Sequence, residues 1–143
     1  MKTILLSISI MFTATFLSAQ NTSKSISNGT TITISVPCNR SEGNVLIGLY
    51  TEDTFLKAAP IKSVSAEIVD GKATATLENV EAGTYGISLF QDKNSNKQMD
   101  FDENGMPLEP YGVSNNVMNY GPPQWSDAKF EVADQPISME IRM

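Results

Sequence analysis

From Thr30 onward the apolar residues of this chain fall on every second position, in short runs that each end at a turn residue. Ile32, Ile34 and Val36 alternate with Thr31, Thr33 and Ser35 and stop at Pro37. Val45, Ile47 and Leu49 repeat the pattern, with Tyr50 on the opposite face. Val64, Ala66 and Ile68 then meet Ala73, Ala75 and Leu77 across Asp70-Gly71, a two-residue hairpin signal. Tyr85, Ile87 and Leu89 follow the turn at Ala82-Gly83, Phe130 and Val132 form the next run, and Ile137, Met139 and Ile141 the last. A side chain that changes face at every residue belongs to a half-buried strand, and the polar face of each run excludes a parallel sheet covered on both sides. Runs spaced by about 8–12 residues predict an all-β chain, a single antiparallel β-sandwich of about seven strands, immunoglobulin-like or transthyretin-like. Only Glu52 to Ala58 suits a helical turn, with Thr51 as cap and Phe55 and Leu56 turned inward.

The first residues read as an address. Lys2 precedes an apolar run from Ile4 to Leu17, and Ser18-Ala19 puts small residues before Gln20. The run is shorter than the roughly 20 residues needed to span a bilayer. The expected organisation is a signal peptide over 1–19, a flexible polar leader over 20–29 and a β-sandwich domain over 30–143. The domain is then exported and soluble, periplasmic or extracellular, with no membrane insertion of its own. The chain has sixteen acidic residues against ten basic ones, and Lys2 is among the latter, so the exported part carries a formal charge of −7. That balance, without basic clusters, argues against nucleic acid as a partner. Cys38 is the single cysteine, so no intrachain disulfide forms, and with no histidine in the chain a serine or cysteine triad lacks its usual base.

Between Asp92 and Asp127 lies a long connection rich in Asn, Gly and Pro. Phe101, Met106, Leu108, Tyr111, Val113, Tyr120 and Trp125 are costly to leave in water, which predicts an ordered excursion packed on the sheet and makes it the place to look for function. Its first part, D-K-N-S-N-K-Q-M-D-F-D-E, sets Asp92, Asn94, Asn96, Asp100 and Glu103 at positions 1, 3, 5, 9 and 12, with the Gln98 backbone carbonyl at position 7. This is the spacing by which a twelve-residue loop wraps calcium, a hard cation that takes 6–8 oxygens. Position 6, normally glycine, is Lys97, and holding it at positive φ costs roughly 1–2 kcal/mol. The flanks are strand-like rather than helical, so calcium here implies weak affinity, about 10⁻⁴–10⁻³ M. The same residues also suit a solvated polar turn, because Asp and Asn hydrogen-bond their own backbone.

A second constellation, Tyr111, Ser114, Asn115 and Asn116 followed by Gly121-Pro122-Pro123-Gln124-Trp125, sets amides beside aromatics. It can grip a glycan or a peptide. Alternatively the amides tie down loop backbone while Tyr111 and Trp125 cap the core.

Gly83-Thr84-Tyr85 leading to Phe90-Gln91-Asp92, the Asp92-x-Asn94-x-Asn96-x-x-x-Asp100 loop, Gly105-Met106-Pro107, Glu109-Pro110-Tyr111-Gly112-Val113-Ser114-Asn115-Asn116, Gly121-Pro122-Pro123 and Asp127-Ala128-x-Phe130 occur in an order that resembles the bacterial family catalogued as domain of unknown function 2141. The resemblance covers nearly all of the chain from about Thr30. It implies a small exported β-sandwich with no established reaction, in which Lys97 departs from the glycine that members carry after the second Asn. The expected function is a non-enzymatic binding or structural module of the cell envelope, its loop organised by calcium and its partner a glycan, a peptide or an envelope protein. The alternative is a glycan hydrolase using paired carboxylates such as Asp102 and Glu109, which would have to flank a sugar about 5–10 Å apart.

Overall fold

The computed structural model describes residues 29–143. The expected signal peptide and all but the last residue of the leader lie outside them. Among the described residues no helix is long and apolar enough to cross a membrane.

The alternating runs form strands where the period-2 pattern predicts them. β1 is Thr30–Pro37, β2 Asn44–Tyr50, β3 Lys62–Val69, β4 Lys72–Val80 and β5 Gly83–Asp92. The short strands β6 (Tyr111–Val113), β7 (Phe130–Val132) and β8 (Ile137–Glu140) follow, with a one-turn helix α1 (Trp125–Ala128) before β7. The chain is therefore all-β, with eight strands where seven were expected. The additional one is β6, which is too short to show alternation. The Asp70-Gly71 hairpin forms as expected, both residues at positive φ (51° and 75°), with Ile68 opposite Ala73 and Val69 opposite Lys72.

All strands belong to one hydrogen-bonded sheet in the order β6-β5-β2-β3-β4-β1-β8, with β7 pairing the first part of β5. The sheet curls because β3 changes partner along its length. Lys62 to Glu67 pair with β2, whereas only Ile68 and Val69 pair with β4. The curl brings the inner faces of β1 and β4 toward those of β2 and β5. Ile32, Ile34, Val36, Ile47, Leu49 and Ile87 are at most 1% exposed there and form the centre of one continuous apolar core. Burying each such side chain is worth about 1.5–3 kcal/mol.

Two expectations are corrected here. The sheet is not purely antiparallel, since β8 runs parallel to β1 from Ile32–Ile137 to Ser35–Glu140. Residues 52 to 58 do form helical turns, closed by the Phe55 N–H on the Thr51 carbonyl and the Ala58 N–H on the Thr54 carbonyl, but Leu56 at φ 53° keeps them from joining and is not turned inward as expected. Phe55 is buried as expected, but Leu56 is exposed. The backbone N–H of Thr51 donates to Thr54 Oγ1, so Thr54 supplies the cap that Thr51 was expected to give.

The two ends of the curled sheet approach each other, and a side chain joins them. Beyond β8 the chain runs past β6, where a Cβ on Gly112 would lie 2.2 Å from the Arg142 carbonyl. Asn116 donates through Nδ2 to the Glu140 carbonyl (2.8 Å) and accepts the Arg142 N–H at Oδ1 (2.8 Å). Its amide thus imitates the donor and acceptor of a neighbouring strand. Asn116→Ala is expected to cost about 1–3 kcal/mol for the two bonds. Thermal unfolding should show this as a fall of several degrees in Tm, with Asn116→Asp, which keeps only the acceptor, falling between.

Candidate functional site

β5 ends in Phe90-Gln91-Asp92, and the chain then leaves the sheet for a loop that curls round the Asp92 carboxylate. Asp92 is 3% exposed; its Oδ1 accepts the N–H of Asn96 (3.2 Å) and its Oδ2 that of Lys97 (2.9 Å). Asn94 Oδ1 also accepts the Asn96 N–H (3.1 Å), and Asn96 Oδ1 that of Gln98 (2.8 Å). The two amide nitrogens converge on one acid: Asn94 donates to Asp100 Oδ2 (2.6 Å) and Asn96 to Asp100 Oδ1 (3.0 Å). Ser95 and Lys97 supply the curvature at φ 61° and 62°. Lys97 therefore occupies the left-handed conformation anticipated for position 6, at a cost of roughly 1–2 kcal/mol.

The loop brings Asp92, Asn94, Asn96 and Asp100 together, in agreement with their spacing. Gln98 joins through its N–H. Glu103 does not join. It is exposed, on a separate turn built by Asp102, whose Oδ1 accepts the N–H groups of Asn104 and Met106 (2.8 Å each). The acid that does reach the curl is Glu109, which the spacing rule overlooked because it follows the pinched-off turn. Glu109 is 5% exposed; its Oε1 accepts the Lys93 N–H (2.8 Å) and its Oε2 the Asp100 N–H (3.4 Å). The curl is thus rich in oxygen, and Glu109 braces it through the Lys93 and Asp100 N–H groups. Among the described residues no group of three or more His, Cys, Asp and Glu side chains is placed to hold a metal ion. Any ion here would draw on the two asparagine oxygens, and those now face backbone N–H groups.

Charge at the neighbouring Asp102 is set by the same kind of bond. The Met106 N–H is the largest influence and holds its carboxyl below the usual carboxylate range; desolvation opposes it, and Asn104 and Gly105 lower it further. Burial raises the Cys38 thiol, partly offset by a backbone hydrogen bond from Ala73, so the lone cysteine stays protonated at neutral pH.

The second constellation is spent on backbone. Ser114 is fully buried: its hydroxyl accepts the Ile87 N–H (3.0 Å) and donates to the Ala128 carbonyl. Asn115, at φ 67°, donates to the carbonyls of Asp127 (2.8 Å) and Lys129 (3.0 Å) across the end of α1. Trp125 packs edge-on to Phe55 with ring centroids 5.7 Å apart, and Phe55 does the same to Tyr50 at 5.8 Å. These rings cover Gly86 of β5, where a Cβ would meet Trp125 at 3.0 Å. Tyr111 is 38% exposed and stands apart from them. Contrary to the expected packing, Phe101, Met106, Leu108 and Tyr120 are also exposed, and only Val113 and Trp125 are drawn in.

One further concavity borders the loop. It holds about 500 Å³ between the β1–β2 connection and residues 107–111, and its lining includes Arg40, Gln91, Lys93 and Tyr111. The β1–β2 connection is fastened there by Gly43 (φ 71°), where a Cβ would lie 1.9 Å from the Asp92 carbonyl oxygen.

Residues 32–140 match a family model described as "Uncharacterized protein conserved in bacteria (DUF2141)". No curated protein and no solved structure matches the chain.

Two substitutions separate the roles assigned here. Glu109→Gln places an N–H₂ where a carboxylate oxygen accepted an amide, and should cost about 1–3 kcal/mol, whereas Glu103→Gln should leave the chemical-denaturation midpoint unchanged. Lys97→Gly removes the left-handed penalty and should raise the midpoint, by an amount on the order of 1 kcal/mol in stability.

Proposed function

The chain belongs to this family of uncharacterized bacterial proteins, and from that premise we propose that it is an exported, non-enzymatic binding or structural module of the cell envelope whose Asp92–Asp100 loop is organised by calcium. The observation that carries the reading is the convergence of Asp92, Asn94, Asn96 and Asp100 on one curl, with Glu109 fastening it from behind. In this reading a cation displaces the asparagine N–H₂ groups from Asp100, both amides turn their oxygens inward, and the two carboxylates supply the charge. Oxygens on a strand-flanked loop suit calcium better than magnesium, which demands tighter octahedral geometry. The module itself is a β-sandwich in this proposal, the β1–β4 and β2–β5 halves of the curled sheet acting as its two layers.

Chemistry at Asp102 and Glu109 is the weaker reading. A glycosidic general acid needs a raised pKa, and Asp102 is held low by its turn. Glu109 already accepts two backbone N–H groups.

The test is a thermal melt in metal-free buffer, in millimolar calcium and in millimolar magnesium. A ligand at 100 times its Kd stabilises a fold by about 2.7 kcal/mol, so calcium should raise Tm by several degrees and magnesium by much less. Asp100→Asn, which leaves the buried Asp92 in place, should abolish the calcium shift. An unchanged Tm at tens of millimolar calcium, or an equal rise with magnesium, would falsify the ion-organised loop.

A further inference from the structure

Beside the loop, the structure assigns a second site. We propose that the cleft between the β1–β2 connection and residues 107–111 binds an acidic sugar, a pyranose ring bearing a carboxylate. The proposal makes specific the binding role put forward above and rests on that role, but not on calcium.

The floor of the cleft is rigid and aimed. Gln91 is 2% exposed, and its Nε2 donates to the carbonyls of Arg40 (3.3 Å) and Glu42 (2.6 Å). Those two bonds fix the amide so that Oε1 points away from the β1–β2 connection. Oε1 accepts no hydrogen bond among the described residues, yet no fully buried side-chain oxygen or nitrogen there lacks a partner. This oxygen is therefore not fully buried, and Gln91 lines the cleft, where a held amide acceptor suits a sugar hydroxyl.

Charge is the second argument. The chain is acidic, with a net formal charge of −6, yet the basic side chains of Arg40 and Lys93 line one small cleft. The sole ion pair among the described residues joins Arg142 to Glu140, so neither Arg40 nor Lys93 has a carboxylate partner. The acidic side chain in the lining, Glu109, has both oxygens turned to the N–H groups of Lys93 and Asp100. Two cations that no carboxylate pairs among the described residues fit a single carboxylate on the ligand.

The walls select a ring over a peptide. Leu108 is 58% exposed and Tyr111 38%, and a flat ring face seats on such surfaces while its hydroxyls reach the polar floor. Pro37, Pro107 and Pro110 stand in the same lining. Proline has no N–H, so these walls lack the donors that an added peptide strand requires. The volume, about 500 Å³, lies within the usual range for small-ligand sites.

The test is isothermal titration with trigalacturonate, the neutral trisaccharide of galactose, and tetra-aspartate, in buffer stripped of divalent ions on a chelating resin. Trigalacturonate should bind, with the neutral sugar and the peptide each about ten-fold weaker or more. Arg40→Gln and Lys93→Gln should each weaken trigalacturonate by about ten-fold with little change in Tm, since Arg40 is exposed and Lys93, whose Nζ also donates to the Leu108 carbonyl (3.4 Å), keeps its backbone bond to Glu109. Tyr111→Ala should weaken the acidic and the neutral sugar alike. No binding of trigalacturonate at millimolar concentration, equal binding of the neutral sugar, tighter binding of tetra-aspartate, or indifference to both charge substitutions overturns the proposal. The calcium melt is read separately: a calcium shift without sugar binding removes the cleft alone, and sugar binding without a calcium shift removes the ion loop alone.

Discussion

Backbone amides without a strand partner are the constraint that the second half of this chain answers. Once β5 ends at Asp92, the next strand of more than three residues begins only at Ile137. A buried peptide group with no hydrogen bond costs on the order of 1–3 kcal/mol, so the intervening residues hold together only if something else accepts and donates. Side chains do it. Asp92 takes two N–H groups, Glu109 two and Asp102 two, while Asn115 supplies two donors to carbonyls. The short acidic and amide side chains thus replace the ladder that the sheet no longer provides. The candidate ion loop is the densest part of that arrangement.

This view accounts for how the loop and the cleft come to be neighbours. Successive residues of a strand face opposite ways, and the end of β5 uses the alternation: Gln91 and Lys93 line the cleft, while Asp92 between them turns into the curl. Glu109 reaches both, lining the one and closing the other. Loop and cleft are two faces of one strand end, supported on a strand that pairs with β2, β6 and β7.

What could be read from the sequence follows from what has a period. The long strands were legible because Ile32-Ile34-Val36 and Val45-Ile47-Leu49 alternate, and the Asp70-Gly71 turn because its chemistry is local. β6 was not, because three residues carry no periodicity and Tyr111–Val113 is a strand only by virtue of its partner Ser88–Phe90. The parallel docking of β8 was hidden for the same reason: partner choice between distant strands leaves no mark on either. In the loop, Asp92 to Asp100 could be found by spacing, and Lys97 does adopt the conformation its position demanded. Glu109 could not be found, because the Asp102 turn removes residues 102–106 from the curl and so breaks the count. Exposure of Phe101, Met106, Leu108 and Tyr120 ran against composition, which identifies apolar residues but not whether the backbone beneath them leads inward. Arg40 carried no motif, and Gln91 stood in Phe90-Gln91-Asp92 with no role attached. Their meeting is a contact between residues some fifty positions apart.

The parallel pairing of β8 with β1 bears on how the molecule is made. β1 lies between β4 and β8, so the first strand of the fold has one neighbour supplied by the last. Ile141, two residues from the end of the chain, is wholly buried, and its N–H donates to the carbonyl of Ser35. During synthesis, which delivers the N-terminus first, a β1–β4 pair exists for some time with one edge open and its apolar face only partly covered. Loop-closure entropy makes such a distant pairing slow to form. Cooperative folding therefore waits until Ile137 to Ile141 have been made, and a nascent chain that lacks them leaves that edge of β1 unpaired.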